Sequence, residues 1–342
     1  MAECFIVRRG GQSYQLPVLH SSYPQDATVV ASASGSASFT VQISQPGTPA
    51  EYTYQWYKNG SAIASATGSS VTISGLTSAA SHTVYCEVTN KAGTVTSRVA
   101  TLTVQDWKPV YTYTGTSSLI DDGSYHWRIK FLSSGTLTFT SLGNTSSIDV
   151  FCVGGGAGAM ARNNANYCGG GGGGYTTTGK SIVVSTGTSY AITVGAGGAP
   201  YSSSARGGTS SAFNISAQGG YSFTGGGYIN GGNGGSGGGG GGWGSWVDSG
   251  AGGSDGSDGG NGRGGDGGGY GGTGQGSTTR EFGESTGTLY AGGGGGSGTG
   301  SGGGGGAGGG GGYGAAGTTN TGGGASGNYY GGSGIVVIRN HR

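Results

Sequence analysis

Proline, charge and long apolar runs are all scarce in this chain of 342 residues. There are six prolines, the last at Pro200, although 89 residues are glycine. Collagen needs proline to preset its backbone beside glycine at every third position, so the triple helix is excluded. Charged residues make up 8% of the chain and the net charge is +1. Acidic and basic residues balance in both halves, so no basic footprint for nucleic acid or an anionic membrane exists. No stretch reaches the roughly 18 apolar residues of a membrane-spanning helix. The start, Met1 to Arg9, lacks the apolar core of a secretory signal, which predicts a protein made in a cytoplasm without a leader. There are four cysteines, and Cys4, Cys152 and Cys168 show no CxxC spacing and no nearby histidine, which argues against zinc.

What is present is glycine, and it is unevenly placed. Twelve glycines precede residue 154 and 77 lie from Gly154 onward. Nine of them, from Gly250 through Gly262 to Gly274, keep an unbroken three-residue period. Such a stretch can be a flexible linker, because glycine loses the most backbone entropy on ordering. The strict period, the recurrent aromatics and the apolar strand Ile335-Val336-Val337-Ile338 favour order instead. A three-residue-per-turn extended helix leaves its backbone groups free to bond neighbouring helices. The prediction is a bundle of polyglycine-II helices over residues 154–342, in which Gly250, Gly262 and Gly274 are structural.

The first part of the chain alternates apolar and polar residues in short runs, such as Ser38-Phe39-Thr40-Val41-Gln42-Ile43 and His82-Thr83-Val84-Tyr85-Cys86. Asn59-Gly60 supplies a tight hairpin turn, since both central residues of a type I′ turn need positive φ. Even spacing with turn signals predicts a β-sandwich over residues 26–105. Residues 106–110 read as a linker and 111–153 as a second β-rich segment. The expected fold class is all-β, with essentially no α-helix.

The residues Tyr54-Gln55-Trp56-Tyr57-Lys58-Asn59-Gly60 and Tyr85-Cys86-Glu87-Val88 resemble the tryptophan strand and F–G hairpin of immunoglobulin-like domains. Cys86 lacks the partner that family usually supplies, so Trp56 is expected to pack beside a free buried thiol. Cys152 and Cys168 are left as a pair that an oxidising environment could join. Over residues 111–342, most specifically at Asp149-Val150-Phe151-Cys152-Val153-Gly154-Gly155-Gly156 and from Tyr190 to Gly198, the chain resembles the glycine-rich domain of bacteriophage tail fibres and related virion proteins. That resemblance implies a virion protein with three regions: an attachment segment at residues 1–25 binding other virion proteins, the immunoglobulin-like module, and a receptor-binding region. It also implies a homo-oligomer, of which a trimer is one form, and a host-surface glycan or protein as partner. A head fibre, capsid decoration or structural spacer is the alternative. Similarity to glycine-rich antifreeze proteins suggests ice binding, but the interruptions here are bulky and irregular where an ice-binding face is flat.

Several motifs imitate active sites. Gly174 to Ser181 fits the P-loop pattern GxxxxGK[ST], yet no apolar strand precedes it and β-branched residues follow, so no helix N-terminus is available for a phosphate. Asp255, Asp258 and Asp266 lack the apolar residues of calcium-binding repeats. The four histidines sit beside no evident nucleophile and carboxylate. Neither enzyme activity nor a cofactor is expected. Contact residues are sought instead in the aromatic and polar interruptions of the glycine array: Asn163, Asn164, Tyr167, Tyr201, Trp243, Trp246, Arg280, Phe282, Tyr329 and Tyr330. Tyrosine and tryptophan give large rigid contact area at little entropic cost.

Overall fold

The computed structural model describes residues 6–9, 12–159, 168–200, 205–222, 230–242, 259, 272–273, 279–298 and 302–341. The chain divides into two compact units, 1–109 and 110–342. Among the described residues there is no α-helix, and the sole helical turn is the 3-10 turn Glu281–Gly283.

In the first unit the largest sheet has the strand order Ala27–Val30, Ala100–Gln105, Ala80–Asn90, Thr53–Lys58 and Ser61–Ala62. Strands Ser36–Thr40 and Ser70–Ser74 pair separately and alternate exposed and buried residues strictly. Their inward side chains, Phe39, Val71 and Ile73, share one core with Trp56, Val84, Cys86 and Leu102. Two sheets thus bury one face each, as a period of two requires. The turn at Asn59 and Gly60 has φ of 51° and 78°, which closes a two-residue hairpin between Lys58 and Ser61. Trp56 lies opposite Cys86 in the ladder, both wholly buried, and its Nε1 donates to the Gly68 carbonyl at 3.0 Å.

The second unit holds two five-stranded sheets. One runs Val110–Tyr113, Gly135–Ser141, Ser189–Thr193, Ser210–Ala212, Ile215–Ala217. The other runs Ser117–Gly123, His126–Phe131, Ile335–Asn340, Ser147–Val153, Thr176–Val183. Segment 111–153 therefore forms no separate layer from the glycine-rich region: it shares both sheets with it. The strand Ile335–Asn340 lies at the centre of its sheet and is buried at every position. Its even-numbered Val336 and Ile338 face the side that also buries Trp127, Ile129 and Phe131, and the Phe131 ring meets Tyr113 of the other sheet at 4.8 Å. Its odd-numbered Ile335 and Val337 pack with Phe151, Val153, Phe282, Tyr290 and Ala291.

Beyond the sheets the glycine segments form an array with a three-residue rhythm. Along 154–159, successive N–H groups donate to Tyr175, Gly208, Gly332, Gly172, Ala205 and Tyr329. Positions three apart thus bond the same neighbouring segment, and consecutive positions bond three different ones. Segment 170–175 repeats the pattern with 236–239, 322–325 and 218–221. A threefold extended helix has this geometry, with no internal bonds and its donors turned outward at 120° intervals. Glycine is required because the segments touch backbone to backbone. A Cβ on Gly156 would overlap the Gly323 carbonyl and stand 2.7 Å from the Gly322 oxygen. The period-three run containing Gly250, Gly262 and Gly274 lies outside the described residues.

Candidate binding face

The hydrogen-bond register sets which parts of the array lie far from the sheets. Gly154 and Tyr175 adjoin strands, whereas Gly158 bonds Ala205 and Ala159 bonds Tyr329 more than one helical turn further out. Described residues flanking the interruptions at 160–167 and 201–204 therefore lie at the end of the array away from the sheets. At this end the carbonyls of Tyr329 and Tyr330 accept from Ala159 and Gly317, so the main chain is held within the array. Their side chains are exposed, at 47% and 60%, and Tyr313 is exposed at 52%. The chain bond Ser326 N–H to Ala315 carbonyl, 3.0 Å, keeps the Tyr313 and Tyr329 segments together. Fixed backbone with free phenol rings is a recognition geometry, since little backbone entropy remains to be lost and each ring has only two torsions to fix. Asn163, Asn164, Tyr167, Tyr201, Trp243 and Trp246 lie outside the described residues, as do Asp255, Asp258 and Asp266.

Arg280 and Phe282 are elsewhere. Their turn packs against the sheet, where Glu281 accepts from Lys130 at 2.6 Å and pairs with Arg128 of strand His126–Phe131. Phe282, expected as a contact residue, is instead 4% exposed and packs on Phe151, with the Arg339 guanidinium 4.1 Å from its ring centroid. Its burial has a plain cause: the odd-numbered face of the central strand needs an apolar cover, and Phe282, Tyr290 and Ala291 provide it. Arg280 is half-buried and donates to the Gly287 carbonyl across the same turn.

Burial alone would raise the Glu281 carboxyl, but hydrogen bonds from Lys130 and Tyr290 and the charges of Lys130 and Arg128 hold it below its ordinary value. The Tyr290 hydroxyl is pushed far up by burial and by Glu281. A second ion pair crosses two central strands, where Asp149 stands opposite Arg339 and accepts from its Nε at 3.2 Å. Asp149 is wholly buried, which alone would raise its carboxyl; hydrogen bonds from His341, the Ser181 N–H and Arg339 lower it. One signal for this pair was present in the sequence. Each of two apolar strands, Ser-Ile-Asp-Val-Phe-Cys-Val and Ile-Val-Val-Ile-Arg-Asn, carries a single charge, and the two are opposite in sign.

This network brings Ser181, His341 and Asp149 together, a set sequence reasoning did not connect. His341 Nδ1 is 2.6 Å from Asp149, but the Ser181 Oγ is 3.2 Å from Nε2 and 3.5 Å from Nδ1. A hydroxyl nearly equidistant from both ring nitrogens lies off the Nε2 lone-pair direction, so the imidazole is not aligned to take its proton. The set fits a lock on the bulge, where Lys180 and Ser181 together face Asp149 and Ser181 has φ 56°. The P-loop look-alike ends in this strand, Thr176–Val183, with no helix after it. Cys86, Cys152 and Cys168 are free and buried. The pair Cys152 and Cys168 is thus not joined: Cys152 points to the Ile215 carbonyl, and the Cys168 sulfur lies 2.9 Å from the Ser297 hydroxyl. Among the described residues no cluster of three or more histidine, cysteine or acidic side chains could hold a metal ion.

A family model described as a glycine-rich domain matches residues 132–341. The match begins just after strand His126–Phe131, which nevertheless pairs with the strand at its far end. No curated protein matches the chain.

Proposed function

The chain belongs to the glycine-rich domain family, and from that premise we propose that it is a non-enzymatic adhesin of a bacteriophage virion, at a tail fibre or tail tip. In this reading the end of the array away from the sheets binds a glycan or protein on the host surface. The carrying observation is the placement of exposed Tyr329 and Tyr330 on a backbone bonded within the array. Loops on a rigid scaffold vary without unfolding it, which suits a receptor-binding end. The first unit serves as an immunoglobulin-like module, a reading supported by the Trp56 and Cys86 pairing in its core. Residues before it attach to other virion proteins, the assembly is a homo-oligomer such as a trimer, and the protein is made in the host cytoplasm. Nucleic acid and membrane insertion play no part.

The alternative, a head fibre, capsid decoration or spacer, is favoured by the array itself, which gains its order from backbone bonds alone and needs no recognition to account for it. Binding of the full chain to a panel of bacterial cells separates the two. The adhesin reading expects binding to some strains and its loss in a Tyr329→Ala/Tyr330→Ala variant of unchanged melting temperature. Binding to none, or equal binding by the variant, gives the spacer reading. Labelling virions with an antibody to the first unit locates the protein.

A further inference from the structure

In the second unit, a cleft of about 510 Å³ lies between the end of strand Thr176–Val183 and the hairpin of strands Ser210–Ala212 and Ile215–Ala217. Its size falls in the roughly 300–1,000 Å³ range of small-ligand sites. Tyr190 and Phe213 supply aromatic surface, and Ser189, Ser211, Asn214 and Ser216 supply hydroxyls and an amide. No charged residue lines it. The two rings lie 4.8 Å apart at 38°, and Tyr190 is braced by Phe139 and by the Ser185 N–H, which donates to its hydroxyl at 2.8 Å. Ile215 is fixed as well, because it occupies the space a side chain on Gly179 would take, 2.7 Å from that Cβ position.

A second observation concerns the turn. Phe213 and Asn214 have φ of 51° and 63°, the left-handed pair of a two-residue hairpin turn. Asparagine and glycine suit such positions, so a bulky aromatic there is strained, and the turn sets the Phe213 ring beside Tyr190 in the cleft lining. We propose that this cleft binds a neutral saccharide. A sugar ring offers an apolar C–H face to Tyr190 and Phe213 and a rim of hydroxyls to the serines and Asn214. An anionic ligand would lose its hydration with no cation to replace it. An alkyl ligand would bury the hydroxyls and the amide without partners. The site is built on the sheets and does not rest on the adhesin reading of the array end.

Saturation-transfer NMR on the full chain, with galactose, glucose and N-acetylglucosamine as probes and sialic acid as the charged comparison, tests it. At least one neutral sugar should receive magnetisation, strongest at its ring C–H protons. Phe213→Asn keeps the turn and relieves its strain, so it should weaken binding roughly tenfold without lowering the melting temperature. Ala191→Arg, at an exposed position lining the cleft, should abolish binding, and Tyr329→Ala/Tyr330→Ala should leave it unchanged. The proposal is overturned if no neutral sugar binds, if sialic acid alone binds, or if Ala191→Arg binds as wild type. Loss of sugar binding in the tyrosine variant alone also overturns it, and assigns the sugar to the array end.

Discussion

Replacing Gly156 by alanine tests the array directly. The new Cβ overlaps the Gly323 carbonyl, and from 2.7 Å the Gly322 oxygen must withdraw by roughly 1 Å to reach ordinary contact. Segment 322–324 cannot withdraw freely, since Gly174 donates to the Gly322 carbonyl at 2.8 Å and Gly332 to that of Gly323 at 2.7 Å. Losing two such bonds costs about 0.5–1.5 kcal/mol each, and overpacking about 1–3 kcal/mol. The expected loss is about 2–6 kcal/mol, or about 4–24 °C in the melting of a unit this size. Gly312 is the control, because its Cβ would meet nothing nearer than the Gly305 nitrogen at 3.5 Å. Gly312→Ala should leave the unit as stable or stabilise it by about 0.4–1 kcal/mol, through the unfolded chain. Calorimetry of both full-length variants measures the difference. Equal melting of Gly156→Ala and Gly312→Ala would refute the claim that close backbone contact is what demands glycine.

Three further outcomes are expected. The carboxyls of Asp149 and Glu281 are held low in the folded state, so their contribution is complete above the usual carboxylate range near pH ~4 and is lost as pH falls through the lower folded values; the second unit should melt alike at pH 7 and 6 and progressively earlier in acid, and a pH-independent melting curve would contradict this. Glu281→Ala takes the carboxylate from Lys130 and the Tyr290 hydroxyl while Arg128 keeps Asp122 at 2.8 Å, and should cost about 1–3 kcal/mol, read by urea unfolding. Burial pushes the Cys86 thiol up to about 11 and that of Cys152 up to about 12, so neither should react with iodoacetamide at pH 8 until the chain is unfolded, as peptide mapping would show.

Much of the fold was legible because its causes are local. Strict alternation marked the strands of the first unit, and Asn59-Gly60 marked its hairpin, since backbone sterics act over two residues. The bonding rhythm of the array was foreshadowed by the glycine period, although the described segments are near-continuous glycine rather than one in three. Phe282 was illegible for a physical reason: whether a glycine-flanked aromatic points out or in depends on what needs covering, and here the uncovered face belongs to strands 130 residues upstream and 50 downstream. The Asp149 and Arg339 pair was legible in principle, but only by comparing two strands that no local pattern joins. Tyr329 and Tyr330 were chosen for composition, and the exposure of both rings was beyond what composition alone decides.

The central position of Ile335–Asn340 has a consequence for synthesis on the ribosome. Val150 must wait for Ile338, its partner, to be translated. At typical elongation speeds of about 5–20 residues per second, that delay is roughly 10–40 s. Throughout it, strands His126–Phe131 and Ser147–Val153 expose the edges that the missing strand will fill, and unfilled edges recruit other chains. Low charge offers little protection during that interval. Glycine-rich segments emerging meanwhile are poor at collapsing on their own, which keeps the gap open for the strand that belongs there.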